Sequence, residues 1–291
     1  MELTMRILNL LLGLGLLSSA LSANFTATAS NTTPPQWQNN KSNKYIGFKY
    51  PNGAKNAISI TFDDARDSQI TVGMPLFEKH QVKGTFYVVP NNVESQLTGW
   101  KKAVSYGHEI ANHTSNHVCT GNFEWLRVRG LGLENATLDW IKQDIEKANN
   151  YLKNKLGVTP TSFAYPCGNT FVGRGVDTRS YVPLIAQQFQ FGRTWNDETA
   201  NNPNYTSFSQ LTAIRLDGQT FEEIKTVLEF LKGNNSWIIL AGHDVGENSL
   251  YSVDKDVLEQ LFVYLKDPKN GYWLDTVNTI GSYIKHHRKA P

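Results

Sequence analysis

Residues 57–64 read Ala-Ile-Ser-Ile-Thr-Phe-Asp-Asp. An apolar, β-branched run that stops abruptly at two carboxylates describes a buried strand with a polar end. Similar short runs recur at Gly84–Val89, Glu109–Asn112, Thr161–Tyr165, Phe191–Trp195, Ala213–Leu216 and Trp237–Ala241. Between them lie segments with helical spacing: Ile70–His80, Gln96–Tyr106, Leu138–Leu156, Pro183–Phe189, Phe221–Leu231 and Val253–Leu265. Asn135 or Thr137 offers a cap for the third of these, and Thr276–Lys285 closes the chain. Strands alternating with helices predict parallel strands covered on both faces. The count fits a TIM-like α/β barrel of seven or eight strands in one domain, with reactive residues gathered at the carboxyl ends of the strands.

Composition narrows the setting. Ile7–Leu17 is an apolar run followed by small residues as far as Ala23, so residues 1–23 read as a secretory signal peptide. The run is shorter than the roughly 20 residues a membrane span needs, and an uncleaved anchor is the competing reading. Residues 24–43 are rich in Asn, Thr and Ser and read as a flexible leader, leaving residues 44–291 for the domain. A net charge of +2 argues neither for nucleic acid nor for an anionic membrane. The two cysteines, Cys119 and Cys167, are too few for a disulfide framework. Paired or separate, both remain open from the sequence.

Four clusters carry chemistry. Asp63 and Asp64 repel each other at a buried strand end unless a cation lies beside them, although Asp is also common in turns. His113 and His117, spaced i and i+4, would share one face of a helical turn and could reach one ion. With Asp64 they would form a two-histidine, one-carboxylate site that leaves positions open for water and substrate. His108 precedes the strand and reads as structural. The third cluster is Phe163-Ala164-Tyr165-Pro166-Cys167-Gly168. The fourth is Ile239-Leu240-Ala241-Gly242-His243-Asp244, in which a histidine just past a buried strand suits acid–base work.

Thr61-Phe62-Asp63-Asp64, then His113-Thr114-Ser115-Asn116-His117, then the Phe-x-x-Pro-x-Gly loop, then a strand ending in His243, together resemble the polysaccharide deacetylase family. This is the NodB-homology group, or carbohydrate esterase family four. The resemblance runs from about Ala57 to His243 and implies a distorted (β/α) barrel. It implies a metal-dependent hydrolase that removes acetyl groups from N-acetylglucosamine units of a polysaccharide or oligosaccharide (chitin, chitooligosaccharide, peptidoglycan or poly-N-acetylglucosamine) and works as a monomer, beside the secreted location and the lack of nucleic-acid or membrane partners read from the composition. By position, Asp63 resembles the catalytic base, and Asp64, His113 and His117 the ligands of Zn²⁺, with Co²⁺ as the substitute. The Cys167 backbone N–H matches an oxyanion donor and His243 a general acid. Tyr165 and Pro166 would shape the groove wall, and Trp195 and Leu240 the acetyl pocket. An O-acetyl esterase on acetylated xylan, and an inactive carbohydrate-binding relative, are the alternatives.

Two departures from the family pattern stand out. An arginine usually occupies the position of Ala164, and Arg193 is the candidate to replace it as partner of Asp63; a surface arginine is the other reading. The paired aspartates that usually surround a tryptophan are not legible, so what tunes His243 stays open. Of Trp100, Trp125, Trp140, Trp195 and Trp237, one or two could be free to stack on sugar rings.

Overall fold

The computed structural model describes residues 47–232, 235–247 and 249–288, so the expected signal peptide and leader lie outside the described residues. Eight parallel strands form one curled sheet: β1 (Asn56–Asp63), β2 (Thr85–Val88), β3 (Glu109–Asn112), β4 (Ser162–Ala164), β5 (Phe191–Arg193), β6 (Ile214–Arg215), β7 (Trp237–Gly242) and β8 (Tyr272–Leu274). Their order is β5-β4-β3-β2-β1-β7-β6. β8 pairs with Asn56–Ile58 at the start of β1, and β2 with Thr61–Asp63 at its end. A single bridge, Arg193 to Leu211, links the β5 edge to the segment leading into β6. The result is the distorted barrel expected of this alternation. The described residues include no helix long and apolar enough to cross a membrane.

Period-two alternation sorts the strand residues onto two faces. Ile58, Ile60 and Phe62 of β1 join Phe86, Ile238 and Leu240 in a core that also takes Phe77, Leu228 and Leu261 from surrounding helices. Ala57 instead joins Phe191, Trp237 and Ile239 on the inner face. The last helix, Val277–His287, covers this inner face near the strand starts through Val277, Ile280 and Ile284. Gly281 makes that contact feasible, because a Cβ there would lie 2.4 Å from Phe191. Half-buried Glu109 accepts from the Asn278 backbone N–H at 2.8 Å and so anchors the first turn of this helix. The last helix thus covers the inner face at the strand starts. Asp63, the last residue of β1, lies on that face by parity.

The helix Leu138–Leu156 has the bounds expected from the sequence, with the Thr137 hydroxyl accepting from the Trp140 N–H. Tyr272–Leu274 was not legible as a strand. It is three residues long and its register is set by pairing with β1 rather than by a pattern of its own.

Candidate metal centre and active site

β1 ends at Asp63, and the chain then turns through Asp64 and Ala65 at φ 74° and 58°. This sharp turn keeps two successive carboxylates in one place. β3 delivers His113 in the same way, one residue past its end. The His113–His117 segment is a loop and not the helical turn expected from the i, i+4 spacing. Thr114 and His117 adopt φ 62° and 48°. The Asn112 side chain accepts from the Thr114 N–H at 2.7 Å, and the Thr114 hydroxyl from the His117 N–H at 3.0 Å. Asp144 of the Leu138–Leu156 helix accepts from the Asn116 N–H at 3.1 Å. These side-chain bonds replace the helical ones and fold the loop back far enough for both rings to meet.

His113 Nε2 lies 3.1 Å from His117 Nε2, and Asp64 Oδ1 lies 3.6 Å and 3.2 Å from the two. Ligands about 2.0–2.2 Å from a tetrahedral ion sit about 3.3–3.6 Å apart, so the three atoms fit one cation. His113 Nδ1 is 2.9 Å from the Ala164 carbonyl, which fixes the N–H there and turns the Nε2 lone pair toward the cluster. Burial holds His113 down at about 4, so its ring is neutral at pH 7. At Asp64, burial opposes ionisation, but the surrounding histidines and Arg66 outweigh it and hold the carboxyl at about 2. Asp64 Oδ1 is buried without a hydrogen-bond partner, while Oδ2 accepts from Arg66 at 2.9 Å. Two imidazole lone pairs and an orphaned anionic oxygen facing one point are the donor set a divalent ion requires.

Arg193 is completely buried. Its Nη2 donates to both oxygens of Asp63 at 2.5 and 2.6 Å, and its guanidinium lies 4.7 Å from the Tyr87 ring centroid. It is not the surface arginine of the alternative reading. Arg193 is the register partner of Ala164 across β4 and β5, on the same face. The arginine absent from position 164 thus stands one strand over.

His243 follows β7, and its Nδ1 lies 2.6 Å from Asp217 Oδ2 while its backbone N–H donates to Asp217 Oδ1 at 2.9 Å. Burial works against a charged ring, but the Asp217 hydrogen bond and the nearby carboxylates outweigh it and raise His243 above its usual range. Gly242 makes room, since a Cβ there would sit 2.9 Å from Asp217 Oδ1. Asp217 is the site residue that sequence reading missed. It stands just past the run Ala213–Leu216, at a strand end like Asp63, yet Asp217-Gly218 reads as an ordinary turn. Asp244 accepts from Ser68 at 2.6 Å and takes no part.

A cleft of about 920 Å³ contains Asp63, Asp64, His113, His117, Cys167, Trp195 and His243 along its walls. The Trp195 ring meets His243 edge-on at 4.7 Å. Cys167 is bonded to Cys119, so neither has a free thiol. Tyr165, Pro166 and Leu240 do not form the walls expected of them. Tyr165 is buried among Phe163 and Tyr181, its hydroxyl donating to the Ser209 carbonyl at 2.7 Å. Pro166 is buried in the turn after β4. Leu240 faces the helix-side core, because β7 alternates and Ile239 and Ala241 take the inner face. His108 is structural: it accepts from the Gly84 N–H at 3.1 Å, and burial lowers it to about 4.

Residues 50–179 match the family model described as polysaccharide deacetylase. This segment belongs to the polysaccharide deacetylase family. It holds Asp63, Asp64, His113, His117 and Cys167, whereas Arg193, Asp217 and His243 lie beyond the matched range. Over 109 residues the chain is 31% identical to a peptidoglycan-N-acetylglucosamine deacetylase of Bacillus cereus, covering 35% of this chain and 48% of that protein. The chain spans about half or less of the length of the curated relatives it matches. A crystal structure of a putative polysaccharide deacetylase from Mycobacterium smegmatis superposes with a TM-score of 0.60 at 14% identity, over 84% of this chain and 95% of that one. A family 4 acetyl xylan esterase from Clostridium thermocellum, in complex with a cobalt ion, gives 0.52 at 22% identity, over 78% and 91%. Both share the deacetylase fold.

Proposed function

We propose that this chain is a metal-dependent hydrolase that removes acetyl groups from N-acetylglucosamine units of a polysaccharide: chitin, chitooligosaccharide, peptidoglycan or poly-N-acetylglucosamine. One observation carries the reading. A cation-fitting triad, an arginine-held carboxylate and an aspartate-held histidine all open into the same cleft.

Asp64, His113 and His117 would hold the ion, Zn²⁺ or in its place Co²⁺. When bound, it supplies Lewis acidity toward water and an acetyl carbonyl. The remaining work falls to the protein. Asp63 takes the proton of the attacking water, with Arg193 fixing its orientation. The Cys167 backbone N–H, on a turn pinned by the disulfide, donates to the oxygen that gains charge. His243 protonates the departing nitrogen, its Nδ1–H held by Asp217. Expelling an amine demands that proton more than expelling an alcohol does. The disulfide and the N-terminal layout support an extracellular or periplasmic site of action.

The test is acetate release from chitopentaose and from acetylated xylan, side by side, by protein stripped of metal and reloaded with Zn²⁺ or Co²⁺. Metal-dependent release from chitopentaose supports the proposal. Release from xylan alone would move the assignment to an O-acetyl esterase. Binding of chitopentaose with no release from any N-acetylated polymer would identify a carbohydrate-binding relative.

A further inference from the structure

Two exposed aromatic rings stand on either side of the catalytic groups. Trp125 and Tyr251 keep 44% and 54% of their surface exposed, and both line the cleft. Trp125 lies nearly parallel to the His117 ring, 23° apart with centroids at 6.4 Å. Tyr251 meets His243 edge-on at 5.6 Å. One ring therefore flanks the metal-ligand side and the other the proton-donor side.

The arm that carries Trp125 is fixed at its base. Cys119 is bonded to Cys167, and the Cys119 carbonyl accepts from Leu133 N–H at 3.0 Å. Glu134 accepts from the Gly121 N–H at 2.7 Å. Arg127 donates to the Gly121 and Asn122 carbonyls at 2.7 Å, and Leu126 is buried beneath. A large aromatic left in water on a rigid arm, beside the reacting centre, suits a partner with a flat apolar face. The axial C–H face of a pyranose ring is such a partner, with hydroxyls left free at its rim.

Resting on the functional reading above, we propose that Trp125 and Tyr251 are stacking platforms for the sugar rings on either side of the unit being deacetylated. The substrate is then an oligomer or polymer bound across the centre, and not a single N-acetylglucosamine. Three units engage both platforms, and shorter ligands reach one.

The test compares acetate release from N-acetylglucosamine oligomers of two to five units by the Zn²⁺-loaded protein and by Trp125→Ala and Tyr251→Ala. Each substitution is expected to lower kcat/KM for the pentamer roughly three- to tenfold, leaving the dimer much less affected. The loss should lie in KM, and Trp125→Phe should restore most of it. A loss equal at all lengths, or none, overturns the proposal. Calorimetry of chitopentaose on the Zn²⁺-loaded Asp63→Asn protein, which holds the ligand without turning it over, separates the two claims. Binding that Trp125→Ala does not weaken overturns the platform alone. No binding, together with no acetate from the unaltered protein, overturns the functional reading and the platform with it.

Discussion

Arg193 holds Asp63 from the strand next to the one that usually carries that arginine, and the register makes the exchange testable. Arg193→Ala leaves a buried carboxylate without its cation, which costs roughly 3–5 kcal/mol, and kcat should fall at least about a hundredfold. Because Ala164 is the cross-strand partner of Arg193, adding Ala164→Arg to that variant should restore part of both the melting temperature and kcat. Failure of the double variant on both counts would show that the guanidinium's approach, and not its presence, matters. Asp217→Asn removes the carboxylate that helps raise His243. The pKa of His243 then falls, and since a general acid works only when protonated, the alkaline limb of the kcat–pH profile should move to lower pH. Zn²⁺ affinity should stay unchanged, and an unmoved limb would remove Asp217 from the chemistry. Asp63, Asp64, His113 and His243 were legible because each stands at or just past a strand end, where a buried run meets a polar residue, and His117 through its spacing from His113. Tyr165 and Leu240 were misplaced because motif adjacency says nothing of parity, and alternation turns both into the core.

Elements were legible where their pattern was long. The 19-residue helix Leu138–Leu156 showed its amphipathic period, β7 its unbroken apolar run, and β1 its β-branched and apolar run ending in two carboxylates. The His113–His117 loop was not, because i, i+4 spacing is common to a helical turn and to a loop bent by Asn112 and Thr114. Pairing of Cys119 with Cys167 was also beyond the sequence, since only the fold brings residues 48 apart into contact. That disulfide joins the end of the His113–His117 loop to the turn bearing the Cys167 N–H. Replacing both cysteines by serine should lower stability by about 2–4 kcal/mol. A urea titration reads this, and kcat should fall with it while Zn²⁺ still binds. Gly242→Ala places a methyl group against Asp217 and should reproduce the pH shift of Asp217→Asn in weaker form.

At the scale of the whole molecule, the protein keeps two buried histidines neutral, His108 and His113, both lowered by burial to about 4. The unfolded chain takes up protons on them near the ordinary histidine value of 6.5, where the folded chain does not. Stability from this source is present above pH 6.5 and lost as pH falls toward 4. His243 acts in the opposite sense, adding stability below its unfolded value and losing it as pH rises. His243 changes nothing between pH 6.5 and 4, where its contribution is already complete, so the two buried histidines should lower the melting temperature of the metal-free protein across that window, and His108→Gln should flatten the slope. The fold, the helices and the cleft place donor atoms of Asp64, His113 and His117 around a single point beside Asp63 and His243, the arrangement the proposed chemistry needs. The most direct test of that arrangement is a Zn²⁺ titration of the metal-free protein, following acetate release from chitopentaose at each addition. Release should rise from near zero and level off at one Zn²⁺ per chain. Release that is independent of metal, or a full complement of Zn²⁺ with no acetate from chitopentaose, would contradict the account.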